Sequence, residues 1–295
     1  MPASDSFRTP DGQTITVWNW PSVPGRVHLH WAHATGFHGR TYLPLLNQLS
    51  QSLNVTAWDM RGHGASHSAG LLDEFHGWQL YYNDLARLLS DRTEPIWVAG
   101  HSIGGMTSLA AAAQCPEKVA GILLVEPVIV SGGAAAGLYL AKKTGLINRL
   151  DMFVLASTRR RCFPSKQEAF ANYRSKHTFR NWSDEWLTAY VEHGLLETAD
   201  NQVCLACTPE WESKTFANAD HAPWGKLPSL SSGPSVSILA AEKGSTFLRS
   251  ARRKMCRQLP QAEIIEVPDS SHFLPMEHPQ LVERWIRERV TGVQV

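Results

Sequence analysis

Ile96-Trp97-Val98-Ala99-Gly100-His101-Ser102-Ile103-Gly104-Gly105 is the stretch on which the reading of this chain turns. An apolar run enters Gly100-x-Ser102-x-Gly104, and a small-residue segment with helical character, Met106 to Ala113, leaves it. Strand, sharp turn and helix in that order give a G-x-S-x-G pentapeptide its meaning. A serine at the apex of so tight a turn sits in a strained backbone conformation, and bulky residues two positions to either side would collide. Glycine at both places removes the collisions, and the Ser102 hydroxyl stands above a helix N-terminus.

Outward from this stretch the chain alternates. Asp11-Gly12 marks a hairpin between Ser6–Thr9 and Gln13–Trp20. Arg26–Trp31 reads as a strand ending in the loop His33-Ala34-Thr35-Gly36-Phe37, which opens a helix around Tyr42–Ser50. Leu53–Trp58 is the next strand, running into Asp59-Met60-Arg61-Gly62-His63-Gly64-Ala65-Ser66. Phe75–Leu89 has apolar residues at helical spacing, and Val119–Val125 is an unbroken apolar run. Unbroken runs between helices indicate a parallel sheet buried on both faces. From Ser131 the rhythm changes to helical pattern without convincing strands, rich in Trp, Arg and His, up to the linker Pro228–Pro234. Alternation then returns: Val236–Ala240 strand, Ser245–Gln258 helix, Ala262–Val267 strand, Pro279–Arg289 helix. The expected organisation is a core of 1–130 and 234–295 with a helical lid at 131–233.

Composition narrows the function classes. The chain has 295 residues, 28 basic against 27 acidic, so it carries no electrostatic footprint for nucleic acid or an anionic membrane. The start Met1-Pro2-Ala3-Ser4-Asp5 shows no secretory signal, and no stretch approaches a membrane span. Cysteines 115, 162, 204, 207 and 256 are odd in number and scattered, which points to free thiols and a cytoplasmic, reducing compartment. Cys204-x-x-Cys207 lacks a second pair at zinc spacing. Eleven tryptophans suggest a broad apolar cavity. A small-molecule substrate is the expected partner, and a homo-oligomer is compatible with the sequence.

The landmarks, in order, are the His33 loop, Asp59-x-Arg-Gly-His-Gly-x-Ser66, the turn at Ser102, and Ser271-His272-Phe273. Together they resemble the α/β-hydrolase fold family over essentially the whole chain, in its serine-nucleophile, esterase- and lipase-like branch. The resemblance implies a mostly parallel, doubly wound sheet with a lid inserted after the strand that ends near Glu126. It also implies an oxyanion hole from the N–H groups of Ile103 and Thr35, although Ala34 stands where the family usually has glycine. The Asp59–Ser66 stretch is a structural turn in the family. His33, Gly36, His101 and Trp182 become candidates for lining the substrate's place.

A serine hydroxyl needs a base to take its proton, and an imidazole suits that near neutral pH. His272 follows the last strand across a short polar loop, at the carboxyl edge of the sheet, where the family's base stands. The acid departs from the pattern. The family's usual aspartate position falls in Ala240-Ala241-Glu242-Lys243-Gly244-Ser245 and holds Gly244. Glu126, at the end of an apolar strand, matches an alternative acid site known from some haloalkane dehalogenases. A lone carboxylate there needs a partner, which His272 would supply. Glu242, or no acid at all, are the other readings. The expected activity is hydrolysis of a small-to-medium carboxylic ester with an apolar part, without metal or cofactor. Cleavage of a C–C bond, lactone or thioester, or ligand binding without catalysis, stand as alternatives.

Overall fold

The computed structural model describes residues 1–149, 151–220 and 222–293. Eight strands make the main sheet: β1 (Ala3–Arg8), β2 (Thr14–Asn19), β3 (His28–Ala32), β4 (Asn54–Trp58), β5 (Ile96–His101), β6 (Val119–Val125), and, after an inserted stretch, β10 (Ser235–Ala241) and β11 (Glu263–Val267). Their spatial order is β1-β2-β4-β3-β5-β6-β10-β11. β1 and β2 pair antiparallel, as do β2 and β4; every other pairing is parallel. The hairpin that Asp11-Gly12 announces is therefore the edge of the sheet, and the apolar runs form its interior.

Side chains along β6 show how the interior is divided. Ile122 and Leu124 enter one core cluster, with Leu85, Leu109 and Ile238, while Leu123 and Val125 enter the other, with Leu46, Leu239 and Ile286. The two-residue period of a strand explains both the sorting and the unbroken apolar run. Helices α1 (Leu43–Leu49), α2 (Gln79–Ser90), α3 (Ile103–Ala112), α9 (Arg249–Gln258), α10 (Leu274–Glu277) and α11 (Pro279–Thr291) accompany the sheet. α3 is buried on all sides, as its Gly/Ala/Leu composition requires. α2 begins four residues later than the apolar spacing suggests, because Gly77 occupies the expected first turn and a short 3-10 turn at Leu72–Glu74 comes first.

Among the described residues, 131–233 gives no strand to this sheet. It holds α4 (Gly132–Lys143), α5 (Asp151–Ser157), α6 (Lys166–Arg174), α7 (Asp184–Gly194) and α8 (Pro209–Ala217). The expectation of helices alone is corrected here. β7 (Cys162–Phe163), β8 (Leu195–Glu197) and β9 (Val203–Leu205) form a separate antiparallel sheet. Strands of two or three residues are too short to display an alternating pattern.

That small sheet overturns a second expectation. β7 and β9 place Cys162 opposite Cys204, and the two form a disulfide, leaving Cys115, Cys207 and Cys256 free. A separation of 42 residues hid the pairing. With one pair bridged, the cysteines do not point to a reducing compartment. The tryptophans give a third correction. Nine of the eleven (18, 20, 31, 58, 78, 182, 186, 211 and 285) are less than a tenth exposed, so they build the core rather than line an open cavity. Among the described residues, no helix is long and apolar enough to cross a membrane.

Several polar groups are sealed inside with partners. Arg61 is forked onto Asp84, both almost wholly buried, and reaches the half-exposed Asp11 with its remaining nitrogens. Asp59 accepts from the Gly39 and Ala65 amides. The Asp59–Ser66 stretch is thus a knot of internal bonds.

Five histidines, 30, 33, 38, 63 and 101, are at most 1% exposed. Burial is the first cause in each case and disfavours the imidazolium, driving His30, His38 and His101 down to about 3 and His63 to about 4, with His33 also well below 6.5. A histidine with a depressed folded pKa contributes stability that is present above its unfolded pKa and is lost as pH falls towards the folded value. Each such group costs up to about 1.4 kcal/mol per pH unit in that window. Urea unfolding between pH 7.5 and 5 should therefore show stability falling from about pH 6.5 with a net uptake of protons.

Candidate active site

The sheet order reverses between β3 and β5, and at such a switch point the loops beyond the carboxyl ends of adjacent strands diverge and leave a crevice. Ser102 stands at that point. Its backbone has φ 58° and ψ −121°, a strained conformation held by Ser102 N–H donating to Val125 O and by Met106 and Val128 donating to Ser102 O. The glycines on either side are sterically required. A Cβ on Gly100 would come within 2.4 Å of the Gly104 carbonyl group, and one on Gly104 within 2.2 Å of Ala32 O. The same closeness sets the start of α3 against Ala32–His33, at the root of the 33–37 loop. Ile103 N–H, first in α3, has no intrahelical acceptor, as is general for a helix's first turn.

His272 comes from the loop after β11. Its Nε2 lies 2.9 Å from Ser102 Oγ and its Nδ1 lies 3.2 Å from Glu126 Oε2. Nδ1–H donates to the carboxylate, which leaves Nε2 bare to accept the Ser102 hydroxyl proton. The His272 carbonyl is fixed as well: His101 Nε2–H donates to it at 2.7 Å. Because that nitrogen carries the proton, His101 Nδ1 accepts from Tyr42 O–H at 2.7 Å, and the Tyr42 oxygen accepts from Ala34 N–H at 3.2 Å. One continuous chain of hydrogen bonds thus runs from the 33–37 loop through α1's entry to the loop of His272.

Glu126 is 0% exposed and sits just past β6 with φ 48°, a rare conformation for glutamate, its N–H donating to Leu239 O. Oε1 accepts from Ala241 N–H and from Ser245 Oγ, both at 2.6 Å. Oε2 accepts from Thr246 N–H at 3.1 Å as well as from His272. Burial opposes its ionisation, but the His272 bond and charge, the Ser245 hydroxyl and the Ala241 amide outweigh burial and hold the carboxyl below its ordinary value. Glu242 is exposed and instead accepts from Asp269 N–H at 2.9 Å. The segment expected as the first turn of α9 is the loop that holds Glu126, so that helix starts at Arg249 rather than Ser245.

The candidate lining residues fare differently. His33 is wholly buried, with Nδ1–H donating to Ala34 O and Nε2 accepting from Met60 N–H, so neither nitrogen is open to a ligand. His101 is closed in the same way by Tyr42 and His272. Gly36 has a positive φ, and its Cα face is covered: a Cβ there would lie 2.5 Å from Glu212 Oε1 and 3.2 Å from Arg159 Nη1. These three support the site from behind, which corrects the expectation that they meet substrate. Trp182 is 3% exposed and packs in a cluster with Phe37, Phe179, Trp186, Tyr190 and Phe273. Thr35 is partly exposed. Sequence reading missed Tyr42, Ser245 and Thr246. Tyr42 looks like any core aromatic at a helix start, and Ser245–Thr246 look like a helix cap. Among the described residues, no three His, Cys, Asp or Glu side chains gather as a metal ion would need.

The family model of the alpha/beta hydrolase family matches residues 25–285. The monoglyceride lipase of Rattus norvegicus is 29% identical over 145 residues, 47% of each chain, so that match spans about half the length of the relative. The monoglyceride lipase of Mus musculus is 27% identical over 297 residues, covering 96% of this chain and 89% of its own. Among solved structures, a thioesterase domain from the curacin biosynthetic pathway superposes with a TM-score of 0.77 at 15% identity, covering 99% of this chain and 100% of that one. At that identity the likeness concerns the fold alone.

Tyr42→Phe is expected to leave Ala34 N–H and His101 Nδ1 buried without a partner. An unpaired buried polar group costs about 1–3 kcal/mol. Urea denaturation should show a loss of that size, with unchanged far-UV circular dichroism.

Proposed function

The chain belongs to the alpha/beta hydrolase family, and from that premise we propose that it is a serine hydrolase of carboxylic esters working through an acyl-enzyme. The observation that carries the reading is the line Ser102 Oγ, His272, Glu126, with contacts of 2.9 and 3.2 Å on the two sides of one imidazole. His272 takes the Ser102 proton as Oγ attacks the ester carbonyl. Glu126 keeps the proton on Nδ1 and balances the imidazolium. The N–H groups of Ile103 and Thr35 receive the negative charge that develops on the carbonyl oxygen. Collapse expels the alcohol, protonated from His272. Water activated by the same imidazole then attacks the acyl group, and Ser102 leaves with its proton restored.

The apolar part of the substrate is inferred from the partly exposed Phe273, which stands against the His272 ring with the buried Phe37 and Trp182 packed on it. Residues 131–233 are taken as a lid over Ser102. Monoglyceride lipases among the relatives favour an ester of a fatty acid and a small alcohol. The contact between Glu126 and His272 favours this reading over ligand binding without catalysis.

A fluorophosphonate should place a single adduct on the peptide containing Ser102, and Ser102→Ala should abolish it. Glu126→Gln should lower kcat by on the order of 10⁴ on the best p-nitrophenyl ester, with folding preserved, whereas Glu242→Gln stays within about threefold. If Glu126→Gln remains within tenfold of wild type, the acid is another group.

A further inference from the structure

We propose that the groove between the N-terminus of α4 and the outer face of α9 is a binding site for a phosphate-class anion. The proposal is independent of the hydrolase reading. The groove has a volume of about 570 Å³ and is lined by Ser131, Gly132, Ser250, Arg253, Lys254 and Arg257.

α9 carries Arg249, Arg252, Arg253, Lys254 and Arg257 without one acidic residue. Arg252 is occupied by Glu266, the Phe247 and Ala241 carbonyls and Ser245, and Lys254 stands 4.5 Å from the Trp224 ring. Among the described residues, no carboxylate pairs with Arg253 or Arg257. Two guanidinium groups one helical turn apart are thus left facing the groove with their charge uncompensated, in the arrangement that suits a multidentate oxyanion.

The opposite wall adds donors. α4 starts at Gly132 with no acid in its first turn and no side-chain cap. A Cβ at Gly132 or Gly133 would meet nothing within 4 Å, so an anion can approach the backbone amides there. Ser131 is the telling residue. It is only 4% exposed, its hydroxyl has no partner among the described residues, and it lines the groove. A hydroxyl without a protein partner, on a residue otherwise enclosed, stands beside free amides and two uncompensated guanidiniums and completes a receptor for oxygen atoms bearing negative charge.

The groove is also near the chemistry. Val128 N–H donates to Ser102 O at 3.3 Å, and Ser131 follows three residues later, so it lies no more than about 11 Å from Val128. A phosphate held here has two sources: the leaving part of a phosphorylated ester or thioester substrate, or a free anion.

Isothermal titration of pyrophosphate into the full chain tests the site directly. One saturable equivalent is expected, weaker at high salt, with affinity reduced at least about tenfold in Arg253→Gln/Arg257→Gln and less in Ser131→Ala. Arg249→Gln removes a charge from the same helix outside the groove lining, and it should change affinity by less than about threefold. No saturable heat, or an equal loss in Arg249→Gln, overturns the proposal. Neutral p-nitrophenyl ester turnover should be unaltered in Arg253→Gln/Arg257→Gln. Competition by pyrophosphate against a phosphorylated ester or thioester assigns the site to the substrate, and its absence assigns it to a free anion; both support the site. If no ester is hydrolysed at all, the proposed function fails while the titration still decides the groove.

Discussion

A buried carboxylate that cannot be left alone holds the site together. Glu126 has no access to water, and an ionised group in such a place is tolerated only when its oxygens are fully engaged. Four donors meet it: the Ala241 and Thr246 amides, the Ser245 hydroxyl and the His272 ring. They come from the end of β10, the loop after it, and the loop after β11, so one side chain at the end of β6 draws three strand ends into register. The imidazole is oriented by the same requirement. Its Nδ1–H completes the carboxylate's shell, and its Nε2 is thereby turned to Ser102.

A second constraint acts from the other side of the imidazole. His272 O accepts from His101, the residue before Ser102, and His101 is held in one tautomer by Tyr42. The serine's neighbour thus grips the backbone of the histidine that faces the serine. Since Tyr42 also receives the Ala34 amide, the loop carrying Thr35 is tied to the same chain. Glu212 and Arg159, which pair with each other, pack on Gly36 of that loop. Rotation of any one of these loops would strand a buried donor or acceptor, which is how a site assembled from five strand ends stays within hydrogen-bonding distance.

Most of the frame was legible because it rests on local rules. The Gly-x-Ser-x-Gly turn has a steric cause that acts partly within five residues, Gly100 against Gly104, and the apolar run of β6 states its two-sided burial directly. Ser102 and His272 could be placed because each follows a recognisable strand. What stayed hidden lies in contacts distant along the chain. The Cys162–Cys204 pair needs two strands too short to announce themselves. Tyr42 earns its place through residues eight and 59 positions away. His33 and His101 read as site residues because position in the chain says which loop a side chain is on, and not which way it points. Both turn inward, where their nitrogens find backbone and hydroxyl partners.

Gly244 helps to explain how a buried carboxylate can stand at the end of β6. A loop that carried its own carboxylate towards the histidine would have to direct that side chain inward and keep its amides elsewhere. Here the residue at that place has no side chain and adopts φ 59°, a left-handed turn that glycine makes without strain. The turn swings the backbone so that Ala241 before it, and Ser245 and Thr246 after it, present donors to a carboxylate coming from outside the loop. The position that would have supplied the negative charge has become part of the cradle that receives it. An aspartate at 244 would have to hold a left-handed conformation that glycine makes without strain, and its Cβ would meet nothing within 4 Å, so it would free none of the donors already engaged on Glu126. The two acid positions are therefore alternatives rather than additive parts, and the choice between them is made by which strand end supplies the carboxylate and which supplies its donors.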